Sequence, residues 1–246
     1  MEEIKIYIKR NIELQEGLLD RVKNKDVNHE ELVKEFLEEN YNIMGEYTID
    51  TSKIPYVVNL SGYARLKNNA KQLVNDFFVF GEVTGSFSCN RNIYIKSLKG
   101  APEKVGFDFY CTECKSLRTL EDAPKEVGDS FDCCGCNDLI DLKGAPEKVG
   151  RNFKCASCES LKTLEGAPKE VGGMFSCKSC PKLETLKGAP KEVGGNFYCD
   201  YCIKLTSFKY GPKIVKGFYS CQFCDDNLTY KDVQKTCNIK RADIYI

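Results

Sequence analysis

The chain has 246 residues, 42% of them hydrophobic and 29% charged, as expected of a folded protein with one extended domain or two compact ones. Its 36 basic and 36 acidic residues cancel, so no general electrostatic attraction draws it to nucleic acid or to an anionic bilayer. No apolar run approaches the roughly 18 residues of a membrane span, and Met1-Glu2-Glu3 lacks the basic-then-apolar order of a secretion signal. Fifteen cysteines are then expected as thiols or metal thiolates of a cytoplasmic protein.

Residues 1–45 read as a helical hairpin acting as an N-terminal cap. Ile8, Ile12, Leu18, Leu19 and Val22 fall at near-helical intervals, although Ile4, Ile6 and Ile8 alternate as a strand would. Asn28 predicts the N-cap of a second helix, with Glu31 three residues on and Val27 and Leu32 in staple positions. Leu32, Val33, Phe36, Leu37 and Tyr41 supply its apolar stripe. His29, the single histidine, sits beside that cap, and any histidine-based catalysis would depend on it alone. Residues 46–78 are less regular, strand-like around Tyr47 and from Tyr56 to Leu60, and read as a transition or degenerate first repeat.

From residue 79 to 230 the chain repeats about seven times with a period of 22. The unit reads L-x-G-A-P-x-x-V-G-x-x-F-x-C-x-x-C-x-x-L. Valine recurs from Val83 to Val215, phenylalanine from Phe87 to Phe197 with Tyr219 closing the column, and leucine in two further columns. A 22-residue unit cannot bury its own apolar face, so successive units must stack, like residue on like. Alternating charges, such as Glu103, Lys125, Glu147 and Lys169, favour the same register. The prolines from Pro102 to Pro212 predict an extended return wall without long helices, and Gly106, Gly128 and Gly150 a tight corner before each strand. Residues 231–246 read as a C-terminal cap, with Ala242, Ile244 and Ile246 alternating as a last strand.

The unit resembles a short leucine-rich repeat of the proline-containing kind found in bacterial effectors and in phage and giant-virus proteins. Phe and the first Cys take inward strand positions, and the second Cys takes the family's Asn/Cys position. Asn92 occupies that last column in the first turn. The resemblance implies a repeat solenoid: a parallel sheet of one strand per turn on the concave face, a mostly extended convex wall and a helical N-terminal cap. It also implies a non-enzymatic protein-binding scaffold, such as a viral or effector inhibitor of a host protein, binding through the concave face or the N-terminal cap. Strand alternation sends Asp108, Tyr110, Thr112, Asn152, Lys154, Met174, Asn196, Tyr198, Asp200 and Phe218 to that face.

Two alternatives stand beside this reading. One is a zinc-thiolate scaffold binding nucleic acid through Cys111, Cys114, Cys133, Cys136, Cys155, Cys158, Cys177, Cys180, Cys199, Cys202, Cys221 and Cys224. Asn92 argues against it, because a zinc site loses a ligand when amide replaces thiolate, whereas a buried turn-bonding position accepts either. No cofactor is therefore expected. The other alternative is an enzyme with its site in residues 1–78. Cys134 and Cys237 fall outside the repeated columns, so either is a candidate for a more exposed thiol.

Overall fold

The computed structural model describes residues 29–52, 55–74, 78–240 and 243–246. The first expected helix, the Asn28 cap with Val27, and Ala242 lie outside the described residues. Helix α1 (His29–Asn40) buries Leu32, Val33 and Leu37 on one face. It ends at Asn40, whose side-chain amide donates to the Phe36 carbonyl at 3.0 Å, so the helical segment stops short of residue 45. Tyr41 belongs to a strand. From Tyr41 to Asp50 the odd residues Tyr41, Ile43, Tyr47 and Ile49 are covered and the even ones are exposed, a period of two that overrides the helical reading. Strand β1 (Tyr41–Asp50) pairs antiparallel with β2 (Tyr56–Leu66) in unbroken register. The Tyr41 hydroxyl ties the hairpin to the first turn by donating to the Leu73 carbonyl at 2.5 Å.

Strand β2 is the root of the solenoid. Its first half pairs in parallel with β3 (Phe78–Val83), and Ala64 and Arg65 near its end pair in parallel with β4 (Phe87–Ser88). Two separate ladders of two-residue strands then run the length of the molecule, through Val83, Val105, Val127 and onward, and through Phe87, Phe109, Phe131 and onward. The expectation of one strand per turn is corrected: the valine column is a second parallel ladder across a bend from the first. Its residues keep extended geometry because each valine stacks in register on the next and packs inward at 0–6% exposure.

The result is a parallel β-solenoid of about eight turns. In each step of the Phe ladder three amides donate to the following turn, as Phe87, Cys89 and Arg91 do to the carbonyls of Asp108, Tyr110 and Thr112 at 2.8–2.9 Å. Inside, rings from Phe87 to Phe197 stack face to face with centroids 5.2–5.6 Å apart and planes within 12°. These rings and the leucine columns are fully buried, so each side chain contributes about 1.5–3 kcal/mol of transfer free energy. The prolines of the return wall are buried and its alanines half-buried, with Ala123 donating its amide to Leu120 to close a tight turn at 3.0 Å.

The glycines before the strands act by a different mechanism from the corner expected of them. Gly128, Gly150, Gly172 and Gly194 do not have positive φ; a Cβ on any of them would overlap the carbonyl oxygen of the glycine one turn earlier. They allow adjacent backbones to approach. Positive φ occurs elsewhere, at Gly100, Gly144, Gly166 and Gly188, and in the third residue of each C-x-x-C, where Glu113, Ser157 and Ser179 lie at φ 56–57°.

The solenoid closes at its C-terminal end with helix α2 (Tyr230–Gln234), which buries Val233, and with strand Ile244–Tyr245, which pairs in parallel with Tyr219–Ser220. That strand covers an edge that would otherwise present unpaired backbone groups. Among the described residues no helix is long and apolar enough to cross a membrane.

Candidate functional site

Outside the Phe ladder lies a face made by the residues between the inward side chains. Much of it is occupied with its own backbone. Asp108 Oδ1 accepts the Ser130 amide at 3.1 Å, Asn152 Oδ1 the Met174 amide at 3.0 Å and Asn196 Oδ1 the Phe218 amide at 2.8 Å. These amides point away from the ladder, and a short polar side chain one turn earlier satisfies each of them. Asp200 serves the next column: it is 3% exposed and accepts the Gln222 amide at 3.0 Å and the Ser220 hydroxyl, with Lys178 Nζ 3.7 Å away. Asp108, Asn152, Asn196 and Asp200 are therefore parts of the fold before they are candidate contacts.

The larger residues of the face lie across neighbouring turns. Tyr110 is half-buried; burial first, then its hydrogen bond to Asp108, push its phenol up to about 12. Lys154 pairs with Asp132 at 3.5 Å. The Tyr198 hydroxyl accepts from Asn196 at 2.8 Å, and Lys178 lies 5.5 Å from the Tyr198 ring centre. Thr112 and Met174 are half-buried, whereas Phe218 is 43% exposed and meets Tyr245 edge-on at 5.3 Å. The ten residues thus share one face across the turns, and of the ten only Phe218, at its C-terminal end, is a well-exposed apolar side chain.

Next to that end is a cluster that the sequence reading missed. Tyr201 and Phe223 stack at 4.6 Å with planes 13° apart, and with Ile203 they are 49–65% exposed. Two of them occupy the third position of C-x-x-C, where other turns carry Glu113, Ser157 and Ser179. The signal was present as apolar exceptions in a polar column.

No family model matches the chain, and no curated protein or solved structure does. What bears on function is therefore the geometry itself. Along the valine ladder runs an open trough of about 940 Å³, floored by the close-packed glycines. Its charges are compensated between turns, with Lys104–Glu82 at 3.4 Å and Lys148–Glu126 at 3.0 Å, and both partners are exposed. The Lys148 ammonium beside Glu126 holds that carboxyl below its ordinary value, and Glu126 in turn raises Lys148.

The cysteines line the interior. In every C-x-x-C the second thiol donates to the carbonyl of the first cysteine one turn earlier: Cys114 to Cys89 at 3.0 Å, Cys136 to Cys111 at 3.1 Å, and so on to Cys224 and Cys199 at 3.2 Å. Asn92 fills the same position with an amide, reaching the Ala70 carbonyl at 2.6 Å while its oxygen accepts the amides of Tyr94 and Ile95. A thiol and an amide interchange here because the position requires a donor. Among the described residues no three His, Cys, Asp or Glu side chains converge on a point that could hold a metal ion. Of the twelve candidate zinc ligands, the six second cysteines form a donor ladder, and first-column thiols are pushed up in pKa by burial, as at Cys133 and Cys155. Of the two cysteines outside the columns, Cys134 is the half-buried one, and Cys237 is 3% exposed.

Proposed function

We propose that the chain is a non-enzymatic protein-binding scaffold of leucine-rich-repeat type, engaging a protein partner through the face outside the Phe ladder. The reading is supported chiefly by the aromatic surface at the C-terminal end of that face, where Phe218, Tyr245, Tyr201 and Phe223 are 43–63% exposed on a backbone locked by inter-turn hydrogen bonds. Large exposed rings on a rigid polar platform lose little entropy on contact, which is the chemistry of interface hot spots. The role of a viral or effector inhibitor, and a cytoplasmic setting, are further parts of this reading.

The test is affinity capture by the full chain and by Phe218→Ser/Phe223→Ser, with circular dichroism confirming that both are folded. A specific partner retained by the native chain and lost by the variant is expected. Equal capture by both would overturn the assignment of this face. Tyr110→Ala, at the N-terminal end of the face, is expected to affect capture less.

A further inference from the structure

At the N-terminal end of the face outside the Phe ladder, one outward column runs Arg65, Ser88, Tyr110, because Arg65 pairs in register with Ser88 and Ser88 with Tyr110. Paired residues on neighbouring strands project to the same side of the sheet. Ser88 is thus a short side chain between two long ones, and the gap above it is a cavity of about 290 Å³. Tyr63 joins its wall from β2, Asn90 and Arg91 from the first turn and Thr112 from the second. No carboxylate lines it. Among the described residues the Arg65 guanidinium and the hydroxyls of Tyr63, Ser88 and Thr112 have no hydrogen-bond or ion-pair partner. Arg91 is held in place from one side: Glu113 Oε1 accepts from its Nε and Nη2 at 3.4 Å, which leaves Nη1 for another acceptor. Asp108, the other acidic side chain that these turns place on the face, is taken up by the Ser130 amide and the Tyr110 hydroxyl.

We propose that this cavity binds the phosphoryl group of a phosphomonoester, with Arg65 and Arg91 as its cationic donors. The number and placement of donors select that class. A carboxylate has two oxygens in one plane, and a single guanidinium fork satisfies it. The oxygens of a phosphoryl group point in several directions, and here three neighbouring strands supply two guanidinium groups and three hydroxyls around one gap. Guanidinium suits this task because it presents rigid pairs of N–H donors and is weakly hydrated. The gap is also roomy: it is many times the roughly 30 Å³ that one water occupies in the liquid, so it takes the phosphoryl group together with the first atoms of whatever carries it. Two sources present the same dianion, a free phosphomonoester and a phosphorylated side chain of a protein. The site itself does not rest on the partner surface proposed above, which lies at the other end of the face.

The experiment is calorimetric titration of the full chain at fixed ionic strength with phenyl phosphate and, for comparison, benzoate. One phenyl phosphate per chain is expected, bound at least about tenfold more tightly than benzoate. Arg65→Gln should weaken it by about tenfold or more, and Ser88→Leu, which fills the gap, should do the same. Lys162→Gln, which removes an exposed cation between the leucine columns, should leave it unchanged. A phosphoserine peptide with no other charged side chain separates the sources: binding tighter than that of phenyl phosphate assigns the group to a protein, and equal or weaker binding to a small molecule. Benzoate bound as tightly as phenyl phosphate, undiminished binding by Arg65→Gln, or no saturable binding of phenyl phosphate by the native chain would each overturn the proposal. If a variant fails to fold, NMR of the native chain decides: phenyl phosphate should shift the signals of Arg65, Ser88, Arg91 and Thr112, and shifts confined to other turns would overturn the site.

Discussion

Tyr219 ends the column of stacked phenylalanines and carries a hydroxyl into the core. It is fully buried, and its oxygen has no hydrogen-bond partner. Its ring still packs on Phe197 at 4.9 Å, but tilted by 47°, unlike the near-parallel rings before it. The neighbouring return wall is adapted to it: Gly211 stands where the other turns carry Ala101, Ala123, Ala145, Ala167 and Ala189, and a Cβ there would lie 3.1 Å from the hydroxyl. An unpaired buried hydroxyl costs about 1–3 kcal/mol. Tyr219→Phe is therefore expected to stabilise the chain by about that amount, raising the melting temperature by roughly 2–4 °C per kcal/mol. Gly211→Ala alone crowds the hydroxyl and should destabilise. Added to Tyr219→Phe it should become favourable by about 0.4–1 kcal/mol, through the unfolded chain's lost freedom. Urea unfolding of the four proteins gives the coupling directly. Additive effects, or a Tyr219→Phe protein less stable than the native one, would refute the reasoning by showing that the hydroxyl is satisfied.

Three further outcomes follow from the same packing. Gly150→Ala should destabilise severely, because its methyl overlaps the Gly128 carbonyl oxygen, whereas Ser157→Gly, which relieves a left-handed residue at φ 57°, should stabilise by about 1 kcal/mol; chemical denaturation of both checks the contrast. Asn92→Ala leaves the Ala70 carbonyl and the Tyr94 and Ile95 amides unpaired and should cost about 2 kcal/mol or more, measurably above Cys158→Ala, which removes a single thiol donor to Cys133 at 3.4 Å. Exhaustive chelation should leave the melting temperature unchanged, since the thiols are engaged as donors to carbonyls; two or more stoichiometric zinc ions per chain in elemental analysis would contradict that account.

Much of the fold was legible because repetition amplifies weak signals. A single Phe or Val says little, but seven valines and six phenylalanines at a spacing of 22 specify stacking, register and which columns are buried. The second helix is where its stripe predicts it, but the helical reading runs on into the strand that begins at Tyr41, because the stripe from Leu32 includes Tyr41 and the alternation from there is interrupted by Gly45. The candidate face was legible as a set of residues, since alternation puts them on the side away from the Phe ladder, although Asp200 is buried there. Their duties were not. Asp108, Asn152 and Asn196 look like contact residues in sequence, and only the inter-turn distances reveal them as acceptors for the next turn's amides.

The sequence by itself determines that like stacks on like, because no other arrangement buries every repeated apolar column at once. Only the tertiary structure decides that the valine column forms a second ladder, that the glycines serve backbone approach, and that each second thiol meets the backbone carbonyl of the unlike, first-cysteine column. Those facts depend on the angle at which each turn bends between its strands and on the offset between neighbouring turns. A 22-residue period fixes which residues are equivalent, but not which unlike residues come into contact.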